Sequence, residues 1–162
     1  MTETMTDGGA SLTEALVAER RKTDMRGSGQ ALVGALLKGC LDREIPIHTA
    51  MRARDLLVVD DAIVGVRAEH NGDDFYVKAR KAVVIGTGGF EWNEDLVKAF
   101  LRGPMNGPCS PPENEGDGLL MAMSVGAALG NMSEAWWIPS FRIPGETVRG
   151  KPYYQLCLME RT

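Results

Sequence analysis

Ala82-Val83-Val84-Ile85-Gly86-Thr87-Gly88-Gly89-Phe90 is the stretch on which the reading of this chain turns. Val83, Val84 and Ile85 form an unbroken β-branched run, the composition of a strand buried on both faces of a parallel sheet. Such strands place ligands at their carboxyl ends, and here that end carries Gly86, Gly88 and Gly89. A residue without Cβ accepts positive φ and lets peptide N–H groups come close to a phosphate or a ribose. Two readings of Gly-Thr-Gly-Gly follow, a nucleotide contact or a tight strand-to-helix turn, and the motif alone does not separate them.

Working outward, strands are expected at 45–49, 53–59, 63–70 and 75–79, with 82–85 opening the glycine loop. Asp60-Asp61 separates two apolar-rich runs, and Asn71-Gly72 marks a hairpin because both residues tolerate positive φ. The pattern predicts an antiparallel meander feeding a buried parallel strand, with helices before and after. That is a mixed α/β (α+β) arrangement rather than a repeating βαβ ladder. Residues 1–10 are polar and are expected to form a disordered tail. Ser11-Leu12-Thr13-Glu14 has the capping-box form and starts a helix running to about Lys22. QALVGALLKGCL at 30–41 is apolar on most sides, which describes a helix packed into a core, and Pro46 closes that region. Further helices are expected at about 93–101 and in LLMAMSVGAALG, where Ala122 and Gly126, four apart, leave one face smooth. Beyond Gly130 come aromatic residues and prolines with weak periodicity, a segment suited to packing against something.

Composition excludes several classes. A length of 162 residues suits one domain of ordinary size, and a net charge of −4 argues against nucleic-acid or anionic-membrane partners. The short basic runs, Arg20-Arg21-Lys22 and Lys78 with Arg80 and Lys81, read as solvated faces. The longest apolar stretch, 119–129, is interrupted by Ser124 and Gly126 and falls short of the ~20 residues of a membrane span. The amino terminus lacks a secretory pattern, so a cytoplasmic protein is expected. Cys40, Cys109 and Cys157 are odd in number and widely spaced, as reduced thiols would be. His48 and His70, the only histidines, offer no zinc spacing.

Asp117 has two readings as well. At the start of a helix it can cap amide groups; between Gly116 and Gly118, where the backbone turns sharply or meets a ligand, it can bind one. A carboxylate is repelled by a diphosphate, so beside a dinucleotide it would bind sugar or ribityl hydroxyls.

GQALVGALL, the meander ending in VVIGTGGFEWN, the NEGDG element and GAALGNMSEAWWIP, in this order, resemble the flavoprotein oxidoreductases that include fumarate reductase, the succinate dehydrogenase flavoprotein and 3-ketosteroid Δ1-dehydrogenase, the ketosteroid branch most of all. The resemblance runs from about Glu19 to Thr162. It implies FAD as cofactor and a partial FAD-binding domain of glutathione-reductase type over 11–135, followed at 136–162 by the start of a substrate-capping domain. By resemblance Ala53 meets the adenine through its backbone, and Gly86, Thr87, Gly88 and Gly89 line the nucleotide. Asn114, Gly116, Asp117 and Gly118 supply further contacts, with Asp117 on FAD itself. Ala is usual where Gly86 stands. The dicarboxylate-reducing members carry His-Pro-Thr where this chain reads Trp137-Ile138-Pro139-Ser140. Losing that imidazole and gaining Trp136 and Trp137 favours an apolar substrate such as a steroid, unless the two tryptophans simply fill a core.

The family's first strand and its G-x-G-x-x-G turn are missing, and the catalytic residues are unknown; Tyr153 and Tyr154 match no catalytic motif. Two functions stay open. The chain is part of a flavoenzyme that moves a hydride between an apolar substrate and FAD, or it is a non-catalytic remnant or association subunit without flavin. An uncovered sheet edge predicts self-association or dependence on a complementary chain.

Overall fold

The computed structural model describes residues 13–103 and 105–157; the expected tail at 1–10 and Ser11 of the capping box lie outside the described residues. Residues 1–49 and 50–162 form two compact units.

In the first unit, α1 spans Glu14–Lys22 and α2 spans Ser28–Leu41. The cap of α1 is Thr13, whose hydroxyl accepts the Leu16 N–H at 3.3 Å. Arg20, Arg21 and Lys22 in its last turn complement the negative end of the helix dipole. The expected core packing of α2 is not found: Leu32, Val33, Leu36 and Leu41 are each more than 60% exposed. Two helices of this length lack the surface to enclose a core. The strand expected at 45–49 is also absent, replaced by irregular chain with Ile45 and Ile47 about half exposed. Pro46 has no N–H to donate to a ladder.

The second unit opens with the expected meander. β1 (Arg52–Val59), β2 (Ala62–His70) and β3 (Asp73–Lys78) pair antiparallel in that order. Asp60 and Asp61 have φ of 48° and 60°, Asn71 and Gly72 have 53° and 89°, so both turns place two left-handed residues at their tips, as two-residue hairpins require. Ala53 stands opposite Ala68, and Val66 bridges Leu56 and Val77. Arg67 pairs with Asp55 on one neighbour and Asp74 on the other. At Gly65 the strands come so close that a Cβ would lie 2.3 Å from the Val77 carbonyl oxygen.

Residues 82–85 depart from expectation. They form no ladder, and Val84 is 92% exposed. A buried parallel strand takes its hydrogen bonds from strands on either side, and among the described residues every ladder is antiparallel. Two short helices follow, α3 (Glu94–Phe100) and α4 (Asp117–Ser124). Asn93 caps α3 by accepting the Leu96 N–H at 3.2 Å. Gly126, at φ 86°, ends α4 before it reaches 129, so Ala122 and Gly126 share no helical face. The aromatic segment, which showed no periodicity, folds into a hairpin of β4 (Ser140–Val148) and β5 (Lys151–Leu156) turned at Arg149-Gly150. α4 packs on β1, and Ala68 and Met121 are buried at 7% and 6% exposure. No helix of the described residues is long and apolar enough to cross a membrane.

Gly65→Ala is expected to lower stability by about 1–3 kcal/mol, because the new methyl meets main chain that cannot step aside. Gly34→Ala, in α2 with nothing within 4 Å of the added Cβ, is expected to gain about 0.5–1 kcal/mol. Urea denaturation of the two variants should therefore move the midpoint in opposite directions.

Candidate cofactor site

Two loops make the site, 86–92 and 114–118, and they are bonded to each other at several points. The Trp92 N–H donates to the Asn114 carbonyl at 3.0 Å. The Asn93 side-chain amide donates to the Glu115 carbonyl at 3.0 Å. The Asn114 side-chain amide donates to the Glu91 carboxylate at 2.9 Å. The Gly118 N–H donates to the Thr87 hydroxyl at 3.2 Å, which anchors the first turn of α4 on the glycine loop. Beneath them Phe90 and Phe100 meet edge to face with centroids 5.8 Å apart.

The glycines are what permit this fit. A Cβ on Gly88 would lie 2.5 Å from Asn114 Oδ1, and one on Gly116 would lie 2.6 Å from a Leu96 methyl. On Gly118 it would meet Thr87 Oγ1 at 2.2 Å, and on Gly89 it would meet Glu91 Oε2 at 2.2 Å. Gly88 and Gly116 also have positive φ, 80° and 85°. These four positions are small because protein presses on protein. Gly86 differs: nothing lies within 4 Å of its missing Cβ, so that side is open, and alanine, usual there in the family it resembles, would fit.

Asp117 does not cap α4. The cap is Gly116, without a side-chain bond, and Asp117 is the first helical residue. Its carboxylate instead takes two parallel hydrogen bonds from the Arg52 guanidinium of β1, Nε to Oδ2 and Nη2 to Oδ1, both at 2.7 Å. Arg52 Nη2 also reaches Glu115 at 3.4 Å. The hydrogen bonds from Arg52 hold the Asp117 carboxyl below its ordinary pKa, against the opposing pull of burial. Ala53 follows Arg52 in the strand. The structure therefore joins Arg52 of β1 to Asp117 at the start of α4, and Gly118 through Thr87 to the glycine loop, with Ala53 beside Arg52 in the strand. Arg52 was missed by the sequence reading. Its signal was a pair of arginines, Arg52 and Arg54, flanking Ala53 ahead of the apolar run 56–59.

A cavity of about 410 Å³ opens beside this loop. It starts at Gly89, Phe90 and Glu91 and runs to Trp136, Trp137 and Leu156, with Glu134 at its wall. The two tryptophans do not fill a core: Trp136 is 91% and Trp137 52% exposed. Burial pushes the Glu91 carboxyl up, but hydrogen bonding, that from Asn114 foremost, outweighs it and leaves the pKa below the usual value. Glu134 pairs with Arg102 at 3.2 Å. Tyr154 packs on the bare face of Gly107.

Residues 4–151 match the FAD binding domain family. The chain is 39% identical over 150 residues to 4-oxocyclohexanecarboxylate 2-dehydrogenase of Sinomonas cyclohexanicum, covering 88% of this chain and 25% of that protein. It is 35% identical over 126 residues to 3-oxosteroid 1-dehydrogenase of Mycolicibacterium smegmatis, covering 74% and 22%. Its structure is similar to that of 3-ketosteroid Δ1-dehydrogenase from Sterolibacterium denitrificans in complex with 1,4-androstadiene-3,17-dione, with a TM-score of 0.62 and 34% identity over 66% of this chain and 20% of that one. The chain thus spans about a quarter of the length of the curated relatives it matches.

Two outcomes follow from the packing and the ion pair. Gly118→Ala should destabilise the loop pair by about 1–3 kcal/mol while Gly86→Ala leaves the urea midpoint nearly unchanged. Because the folded pKa of Asp117 is depressed, its contribution is present above the unfolded carboxyl value and lost as pH falls through the folded one. Urea midpoints measured from pH 6 down to below about 4 should fall less in Arg52→Gln than in the parent chain.

Proposed function

The chain belongs to the FAD binding domain family of flavoprotein oxidoreductases, with FAD as its cofactor, and from that premise we propose that it forms part of a dehydrogenase acting on an apolar, uncharged ring ketone of steroid type. The observation that carries this reading is the cavity that begins at the glycine loop and continues along Phe90, Trp136 and Trp137. Its size falls within the ordinary range for small-molecule sites.

The residues present fit the cofactor. Gly86 leaves open space on the loop, and Thr87 beside it is an exposed residue. In this reading Gly86, Thr87, Gly88 and Gly89 line the nucleotide, Ala53 meets the adenine through its main chain, and Asp117 accepts hydrogen bonds from sugar hydroxyls. Asn114, Gly116 and Gly118 hold the loops at the spacing this requires. FAD, when bound, supplies the acceptor for the two electrons of a hydride. What this chain adds is binding and orientation: Trp136 and Trp137 offer flat apolar surface for a ring system and keep water from it. Residues 11–135 serve as part of the FAD-binding domain, and 136–162 begin the domain that caps the substrate.

The named relatives act on 4-oxocyclohexanecarboxylate and on 3-oxosteroids, both cyclic ketones. Glu91 lines the cavity and is held charged by neutral hydrogen-bond donors, so it would repel an anionic substrate, whereas Glu134 is paired with Arg102. That supports the uncharged steroid type over the carboxylate. A second reading, an association subunit without flavin, draws support from the exposed leucines of α2.

Flavin titration tests the two. The purified chain mixed with excess FAD and separated from free cofactor should retain about one FAD per chain, read by absorbance near ~450 nm after denaturation. An uncharged 3-ketosteroid should then quench tryptophan fluorescence, and Trp137→Ala should weaken that quenching at least about tenfold. No retained flavin, together with concentration-dependent association in sedimentation, would favour the association subunit.

A further inference from the structure

We propose that Arg52 is a positioning residue of the cofactor site, holding and neutralising Asp117 so that this carboxylate can face the sugar of an anionic dinucleotide. The inference rests on the FAD-contact reading given above and extends it to a residue outside the glycine loop and the NEGDG element.

The geometry is specific. Arg52 lies at the start of β1 and Asp117 at the start of α4, 65 residues apart in sequence, and they meet through two parallel bonds of 2.7 Å. This fork-to-fork arrangement fixes the plane of the carboxylate as well as its place. Each carboxylate oxygen has two acceptor directions. Arg52 occupies one on each, so the remaining pair can accept hydroxyl groups. The clamp sits one residue from Gly118, whose N–H is bonded to Thr87, so it is directly connected to the loop that lines the nucleotide.

Charge gives the second argument. Asp117 and Glu115 bring two negative charges to the end of α4, and both are bonded to Arg52. Arg54 contributes a weaker attraction to Asp117, but its own guanidinium is engaged by Glu69 at 2.7 Å. Without Arg52, two carboxylates would face a ligand that carries a diphosphate. With it, one is cancelled and the net charge of the cluster falls from two negative charges to one. The Asp117 side chain is 28% exposed and that of Arg52 48%, so ligand hydroxyls can reach the carboxylate while solvent only partly screens the pair.

Equilibrium FAD binding by the parent chain, Arg52→Lys and Arg52→Gln, each at low and high salt, tests this. Circular dichroism of the free chains serves to confirm folding. Arg52→Gln should bind FAD at least tenfold more weakly than the parent, and added salt should strengthen its binding by screening the exposed carboxylates. Arg52→Lys keeps the charge and loses the fork, so it should recover most of the affinity and should not show that salt response. Equal losses in Lys and Gln variants with the same salt dependence as the parent would overturn the proposal in favour of a purely structural link. Binding by Arg52→Gln within twofold of the parent would overturn it outright. Failure of the parent chain to bind FAD would overturn it together with the reading on which it rests, an outcome distinct from the other two.

Discussion

Close approach of two loops is the constraint on which the rest of this site depends. The segments 86–92 and 114–118 meet where Gly88, Gly116 and Gly118 carry no Cβ; an added carbon would fall 2.5 Å from Asn114, 2.9 Å from Phe90 and 2.2 Å from Thr87 respectively, each on the opposite loop. Once the loops are seated, their polar groups pair across the contact, Trp92 and Asn93 with backbone carbonyls, Asn114 with Glu91, Gly118 with Thr87. That pairing satisfies groups which would otherwise be costly to bury. It also sets the direction in which α4 leaves the turn, and therefore where Asp117 stands.

Electrostatics then acts on a frame already built by packing. The bidentate bond between Arg52 and Asp117 joins the first strand of the meander to the start of α4, and these two elements are also in direct contact. Surface ion pairs seldom contribute much to stability, and this one is only partly shielded. Its interest lies in what it does to a carboxylate beside a cofactor loop: it fixes the carboxylate's plane and removes its net charge. The cavity next to it shows the complementary case. Glu91 is held charged by hydrogen bonds despite burial, so the space framed by the two tryptophans is apolar in surface but unfavourable to anions.

The parts of the fold legible in sequence are those decided by neighbours along the chain. The meander could be read because Asp60-Asp61 and Asn71-Gly72 tolerate the left-handed conformation that both turns adopt. The helix start near Asn93 follows from a side chain that accepts the amide three residues on, whereas α1 is capped by Thr13, the third residue of the stretch read as a capping box from Ser11. The segment 82–85 was illegible for the opposite reason. Its β-branched run describes what a strand looks like once neighbours flank it, and no flanking strand is present among the described residues. The last hairpin escaped notice because Pro144 and Gly145 interrupt β4 at a register shift, which spoils alternation just where it would be sought. In α2 the apolar pattern was plain, but a pattern says which residues need covering and not whether anything covers them.

Sequence by itself determined the meander turns, the glycine positions and the resemblance to FAD-dependent oxidoreductases, because each rests on local backbone preference or on an ordered set of motifs. Only tertiary structure decided what those glycines are for. Gly88, Gly116 and Gly118 admit side chains from distant parts of the chain, Gly89 admits Glu91 two residues on, and Gly86 leaves space open. The same holds for Asp117, whose cap and ligand readings were both compatible with its neighbours and neither of which included an ion pair. Its partner Arg52 lies 65 residues earlier, and a Coulombic pairing across that distance exists only when folding has brought β1 and α4 together.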